Sequence, residues 1–417
     1  MSRLIELPDV FASLSADARQ LILARCLRLF AYGFLSVVLV FYLTGVGIDE
    51  RRTGLLLSLT LVGDTAISLW LTTRADRAGR RLTLVIGALL MAFAGVVFAF
   101  TGNFVLLLIA GIVGVISPSG KEVGPFLSVE QAALSHVIGT QQRTTVFAWY
   151  NLVGSFAGAF GVLFAKWLTQ QMHHAGATPV NGYRAVVLAY GAVGLILTIL
   201  FARLGNGVEW TPADGAAAAS SASRLGLGRS RGVILRLSGL FMIDAFAGGF
   251  VIDSLTIYWF YTRYGVDLAV LGWVYFATNV VAGFSGLWAA RLSKRFGLIN
   301  TMVFTHLPSN ILLIAVPLMP NLQLAALVLL LRFSISQMDV PTRQAYTMNI
   351  VRPDERSAAA GVTGTARTIG AALAPALAGL LYTRPALAGI PFFIAGGLKI
   401  VYDLLLYRAF VSHQPAE

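Results

Sequence analysis

The sequence predicts an all-α membrane protein with twelve transmembrane helices in two six-helix bundles, and three observations carry that expectation. First, 57% of the 417 residues are hydrophobic and only 12% are charged, with a mean hydropathy of +0.76. That is more apolar surface than a water-soluble domain buries, so lipid must solvate most of the chain. Second, apolar runs of about 20 residues, enough helix to cross a hydrocarbon core of about 30 Å, recur from Leu21 to Phe410. Barrel strands are excluded, because the runs lack a period of two. Third, the composition turns to Ala, Ser and Gly between Leu204 and Gly232, which leaves six runs on either side.

In order, the spans fall near 20–44, 53–73, 82–101, 104–120, 144–166, 184–203, 234–262, 268–290, 298–318, 322–342, 357–382 and 388–410. The first follows a polar start, Met1 to Arg19, with no small-residue cleavage site after it, so it is expected to be retained and not removed as a signal peptide. The second and third are separated by a dense charged loop, Arg74 to Arg81. The fourth breaks into a polar Gly/Pro stretch, Ser117 to Pro125, which reads either as an inner gate or as a simple helix end followed by a surface helix from Leu127 to Val137. It lacks the Gly-x-x-x-x-Gly-Lys-Ser/Thr spacing of a phosphate loop. After the sixth comes the linker, 205–233, so the expected bundles are 1–204 and 234–417. Basic residues cluster in alternate loops: Arg74 to Arg81, Lys121, Arg143, Arg224 to Arg236, Arg291 to Arg295 and Arg343 to Arg356. This places both termini in the cytoplasm of a multi-pass protein of the cell membrane. The net charge of +12 is spread over these loops, so no nucleic-acid partner is expected.

The halves also repeat. At an offset of 218, Asp49, Gly54, Trp70, Arg77 and Gly79 fall on Asp267, Gly272, Trp288, Arg295 and Gly297. At an offset of 213, Gln131, Ala132 and Arg143 fall on Gln344, Ala345 and Arg356. Parallel six-helix repeats joined by a cytoplasmic linker are the architecture of rocker-switch secondary transporters.

Asp76-Arg77-Ala78-Gly79-Arg80-Arg81 resembles the signature loop of the major facilitator superfamily, Gly-x-Leu-Ala-Asp-Arg-x-Gly-Arg-Arg/Lys, with Thr72 in place of the first glycine. Ser293 to Gly297 is a degenerate second copy with Lys294 where the acid stands. The resemblance covers essentially the whole chain. It implies a conformational gate at Asp76, Arg77, Gly79, Arg80 and Arg81, with Arg295 and Gly297 in the second copy. Asp76 is positioned to pair with a base or to cap a helix, and Arg80 and Arg81 to meet anionic lipid heads. It also implies a central cavity lined by the first, fourth, seventh and tenth spans, which would hold Arg28, Asp244 and Arg332, with Asp64 and Arg367 at or beside the interface of the halves.

Ionisable residues inside spans are costly, so Asp244, Arg332, Arg28, Asp64 and Arg367 are the candidates for solute and proton binding. At about 1.5 Å per residue, Asp64 and Asp244 lie about 16 Å into their spans. Asp244 is the expected proton-coupling carboxylate. The alternative is static pairing, Asp244 with Arg332 or Asp64 with Arg28. Lys399 and Asp403, four apart on the last span, are expected to pair within their helix. Tyr258, Trp259, Tyr261, Trp149 and Tyr150 are expected mainly to pack. His173 and His174 have no third ligand nearby, and the single Cys26 excludes a disulfide. No nucleophile constellation, metal set or nucleotide loop is present, so neither an enzyme nor a cofactor is implied. The leading expectation is proton-coupled efflux of a small organic solute by a monomer in contact with membrane lipid. The fifth-span glycines Gly154, Gly158 and Gly161 favour export, because they resemble the family's antiporter signature without its proline. The alternatives are symport of an organic or inorganic anion into the cell and a non-transporting lipid flippase or sensor on the same scaffold.

Overall fold

The computed structural model describes residues 14–120, 124–138, 143–209, 230–351 and 356–411. In chain order the helices are α1 (Ala16–Gly45), α2 (Glu50–Ala78), α3 (Arg80–Phe100), α4 (Phe104–Val113), α5 (Phe126–Val137), α6 (Arg143–His174) and α7 (Pro179–Ala202). They continue with α8 (Arg231–Gly249), α9 (Asp253–Tyr264), α10 (Leu268–Phe296), α11 (Leu298–Ala315), α12 (Leu322–Ser336), α13 (Asp339–Asn349), α14 (Arg356–Tyr382) and α15 (Ile390–Phe410). No strand occurs among the described residues. Among the described residues, eleven segments are long and apolar enough to cross a bilayer and α4 is a shorter apolar helix, so the predicted all-helical membrane architecture is present.

The sequence signals one broken span, the fourth, and the described residues show three. The fourth consists of α4 and α5, the seventh of α8 and α9, and the tenth of α12 and α13. At the seventh, the amides of Phe250 and Val251 turn back onto Ala247 and Gly248 at 3.3 and 3.2 Å; at the tenth, the amide of Met338 reaches Ile335 at 3.3 Å. These tight i→i+3 bonds satisfy backbone groups that lipid cannot.

The chain forms two compact units, Met1–Val46 with Gly63–Ala218, and Gly47–Val62 with Ala219–Glu417. In the first, α1 is the central helix: 83% of its most apolar stretch is buried, against 39% for α6 and for α7. It can be buried this deeply because glycines let neighbouring backbones approach. A Cβ built at Gly33 lies 2.1 Å from the Gly158 carbonyl oxygen, and one at Gly161 lies 2.1 Å from the Phe30 carbonyl oxygen. In the second unit the same device joins α8 and α14, where a Cβ at Gly370 falls 2.3 Å from the Met242 carbonyl oxygen and one at Gly249 falls 2.5 Å from that of Ala371. Gly370→Ala is therefore expected to force these helices apart and lower stability by about 1–3 kcal/mol. Gly364→Ala, on the same helix with open space around it, should leave the melting temperature unchanged or raise it.

The repeat extends to hydrogen bonds. Asp49 accepts from the Arg52 amide at 2.7 Å at the start of α2, and Asp267 accepts from the Val270 amide at 2.9 Å at the start of α10. Asn103 caps α4 and Asn321 caps α12. Gly79 and Gly297 have φ of +105° and +83°, a conformation suited to glycine, and each joins two helices with a single residue. Four residues on, Thr83 and Thr301 donate to their carbonyl oxygens at 2.9 and 2.8 Å. Trp70 and Trp288 are both more than half exposed, as expected of lipid-facing rings.

Candidate functional site

In the second unit, four helices bring charge to one buried carboxylate. Asp244 on α8 is 3% exposed. Its Oδ1 accepts from Lys399 Nζ on α15 at 2.5 Å. Its Oδ2 accepts from Arg367 on α14 at 3.0 Å and faces Arg343 on α13 at 3.4 Å. His306 Nε2 on α11 lies 3.9 Å from Oδ1. The other ring nitrogen, Nδ1, is 2.8 Å from Asp403 Oδ1, and Asn310 donates to Asp403 Oδ2 at 2.8 Å. Arg343 also binds Asp339, one turn before it, at 2.7 Å. The cluster thus balances Asp244, Asp339 and Asp403 against Arg343, Arg367 and Lys399, with the histidine as a further proton site between two carboxylates. Charges this deep persist only when paired and hydrogen-bonded. Arg367 differs from the others in being one-third exposed. The close α8–α14 approach through Gly249 and Gly370 is what brings Arg367 to Asp244.

The first unit holds a simpler pair. Arg28 on α1 and Glu130 on α5 meet at 2.6 Å, both fully buried, and the Tyr150 hydroxyl on α6 donates to the same carboxylate oxygen. Arg28 also lies over the Phe126 ring at 4.7 Å. Arg25, one turn earlier, donates to the Tyr150 carbonyl at 2.9 Å and stacks on the Tyr150 ring at 4.0 Å. Glu130 and Arg343 occupy equivalent places in the two halves, at the 213-residue offset of the repeat. Each half therefore has an ion pair between its first helix and the helix after its break, with the signs reversed. Asp64 on α2 accepts from the Gly124 amide at 2.7 Å and from Ser68 at 3.4 Å, and so ties the end of the fourth-span break to α2.

At the signature loop, the backbone amides of Arg80 and Arg81 donate to Glu209 at 2.7 and 3.2 Å. Glu209 thus supplies a carboxylate to the positive end of α3. Asp17 holds the nearby chain through the Gly205 amide at 2.8 Å. In the second copy, Arg295 stacks on Phe296 at 5.3 Å and the Gly297 amide closes α10 onto Ser293. The side chains of Asp76, Arg77 and Lys294 lie outside the described residues, as do 121–123 and most of the linker.

Of the residues expected from the sequence, Asp244 and Arg367 meet directly. Arg332 bonds neither to Asp244 nor to any other carboxylate, and the partner of Arg28 is Glu130 and not Asp64. The expected Lys399–Asp403 pair is replaced. Each looks across to another helix, Lys399 to Asp244 and Asp403 to His306, because both face a site where buried partners compete better than an intrahelical one. Glu130, Asp339, Arg343 and His306 are additions. Glu130 and Arg343 were visible as charges beside the repeat-matched Gln131 and Gln344, and His306 as an imidazole within an apolar span.

Comparison with known proteins agrees with this architecture. An uncharacterized membrane protein of Saccharomyces cerevisiae, YJR124C, is 30% identical over 435 aligned positions that cover 97% of each chain. Among solved structures, the nucleoside transporter NupG superposes with a TM-score of 0.74 at 13% identity, covering 96% of this chain and all of that one. The xylose transporter XylE from E. coli gives 0.71 at 17% identity, covering 97% of this chain and all of that one. At such identities the two structures show the shared fold alone. The sequence profile described as Major Facilitator Superfamily matches residues 21–375, and this chain is a member of that family of membrane transport proteins.

Proposed function

We propose that this chain is a proton-coupled secondary active transporter of a small organic solute, and that Asp244 carries the coupling proton. The observation that supports this reading is one buried carboxylate that holds Arg343, Arg367 and Lys399 from three different helices and faces His306 on a fourth. A proton on Asp244 weakens all of these contacts at once. The charge state of a single group therefore biases how α8, α11, α13, α14 and α15 pack, which is the kind of two-state element that alternating access needs. The reading includes two six-helix bundles, a monomer, the cell membrane and cytoplasmic termini.

Direction follows from what the charges favour. Gly158 and Gly161 seat α6 against the backbone of α1, and a Cβ at Gly154 would lie 2.8 Å from Arg25 Nε, so packing accounts for the glycines that suggested export. Uptake has a specific observation in its favour. The cluster is neutral when His306 is neutral, so a proton on Asp244 leaves one positive charge in excess, and a loaded proton then attracts a solute anion to the same side. Purified protein in liposomes with an external pH indicator checks this: addition of the solute should alkalinise the medium as protons enter with it. Acidification would mean exchange, and export would then stand.

A further inference from the structure

We infer that Arg332 is the docking cation for a small organic carboxylate, an inference that rests on reading the chain as a solute transporter and names its solute class. Arg332 lies on α12 within a membrane span, on the side that carries the buried Ala325, Leu329, Phe333 and Ser336 and away from the exposed Leu324, Leu327 and Leu331. The cations of the Asp244 cluster are spoken for: Arg343, Arg367 and Lys399 each bind a carboxylate. Among the described residues, Arg332 has no hydrogen bond and no ion pair, and its Nε is buried without a partner. Its guanidinium lies over the Phe333 ring, 4.9 Å from the centroid. Asp253, Asp244 and Asp339, together with the Tyr275 hydroxyl, are within electrostatic reach, yet no carboxylate oxygen approaches to ion-pair distance.

A guanidinium inside a membrane span with no carboxylate at ion-pair distance gains from an anion that binds it directly, and its planar fork fits a carboxylate bidentately. One free cation beside an aromatic face suits a monovalent head on an organic body better than inorganic phosphate, whose two charges call for several cations. The site therefore takes an organic carboxylate, with the acids of the Asp244 cluster near enough to sense its arrival.

The test is thermal unfolding of the purified full chain in detergent with lactate, succinate and phenylacetate, each compared with its uncharged amide. Carboxylates should raise the melting temperature saturably and amides should not. Arg332→Gln should bind the effective carboxylate at least about tenfold more weakly, the loss of a charge-assisted hydrogen bond. On its own this variant should melt no lower than the wild type, because it breaks no direct ion pair, and Arg332→Lys should keep part of the shift. The inference is overturned if the glutamine variant keeps the full shift, if amides or inorganic phosphate stabilise as well as carboxylates, or if no carboxylate stabilises the wild type. It is equally overturned if Arg332→Gln and a second neutral variant, Arg332→Met, both melt well below the wild type, which would make Arg332 structural. Binding is read without any gradient, so its outcome is separate from that of proton coupling through Asp244.

Discussion

Glu130→Ala is expected to cost about 3–5 kcal/mol of folding stability, because it leaves the fully buried Arg28 guanidinium without its carboxylate. The loss extends beyond the pair, since the Tyr150 hydroxyl donates to the same oxygen and Arg25 is held by the Tyr150 carbonyl. Replacing both members, Arg28→Met with Glu130→Leu, should recover most of it, because two apolar side chains of similar size fill the space without desolvated charge. Thermal unfolding of Arg28→Met, Glu130→Leu and the double variant in one detergent gives the coupling directly. A single-variant cost below about 1 kcal/mol would place the pair in a much wetter setting than its burial describes.

For Asp244→Asn the large expected effect is on transport and not on folding. The amide keeps the volume but has one acceptor oxygen, which can serve either Lys399 or the pair Arg367 and Arg343 and leaves its NH2 facing the other, and it cannot change charge. Stability should fall by about 1–3 kcal/mol through the weakened charge-assisted bonds. Solute accumulation driven by a pH gradient should fall at least about a hundredfold, as expected when a coupling group with no substitute is removed. Lys399→Met should behave differently. Asp244 keeps Arg367 and Arg343, so coupling should be weakened and shifted in pH rather than abolished.

How much of this was legible in the sequence depends on the range over which each feature is encoded. Spans, the linker and the signature loop are local, and the repeat adds register: Asp49 and Asp267, matched by position, cap their helices in the same way. Asp244, Arg28 and Arg367 stood out because an ionisable group in an apolar run is conspicuous wherever it folds. Glu130, Arg343 and His306 did not, because each lies tens to about a hundred residues from the group it meets. Arg343 and Glu130 sit in polar segments that read as helix ends until the breaks in the fourth and tenth spans carry those segments into the protein. His306 is one imidazole in an apolar span, and nothing in the local sequence marks its contact with Asp403. The four-residue spacing of Lys399 and Asp403 indicated that they share a face, and only tertiary contacts show that this face meets α8 and α11. The break after Gly249 had only a Gly-Gly pair to announce it, a weak signal in a helix rich in small residues.

The central claim, that Asp244 is where the proton and the conformational change meet, is tested most directly by comparing two fluxes through Asp244→Asn in liposomes. One is exchange of labelled for unlabelled solute at equal pH on both sides, which needs only alternation of the loaded carrier. The other is net uphill accumulation driven by an imposed pH gradient. Retained exchange with no gradient-driven accumulation is the predicted result. Accumulation that follows the gradient as it does in the wild type would contradict it.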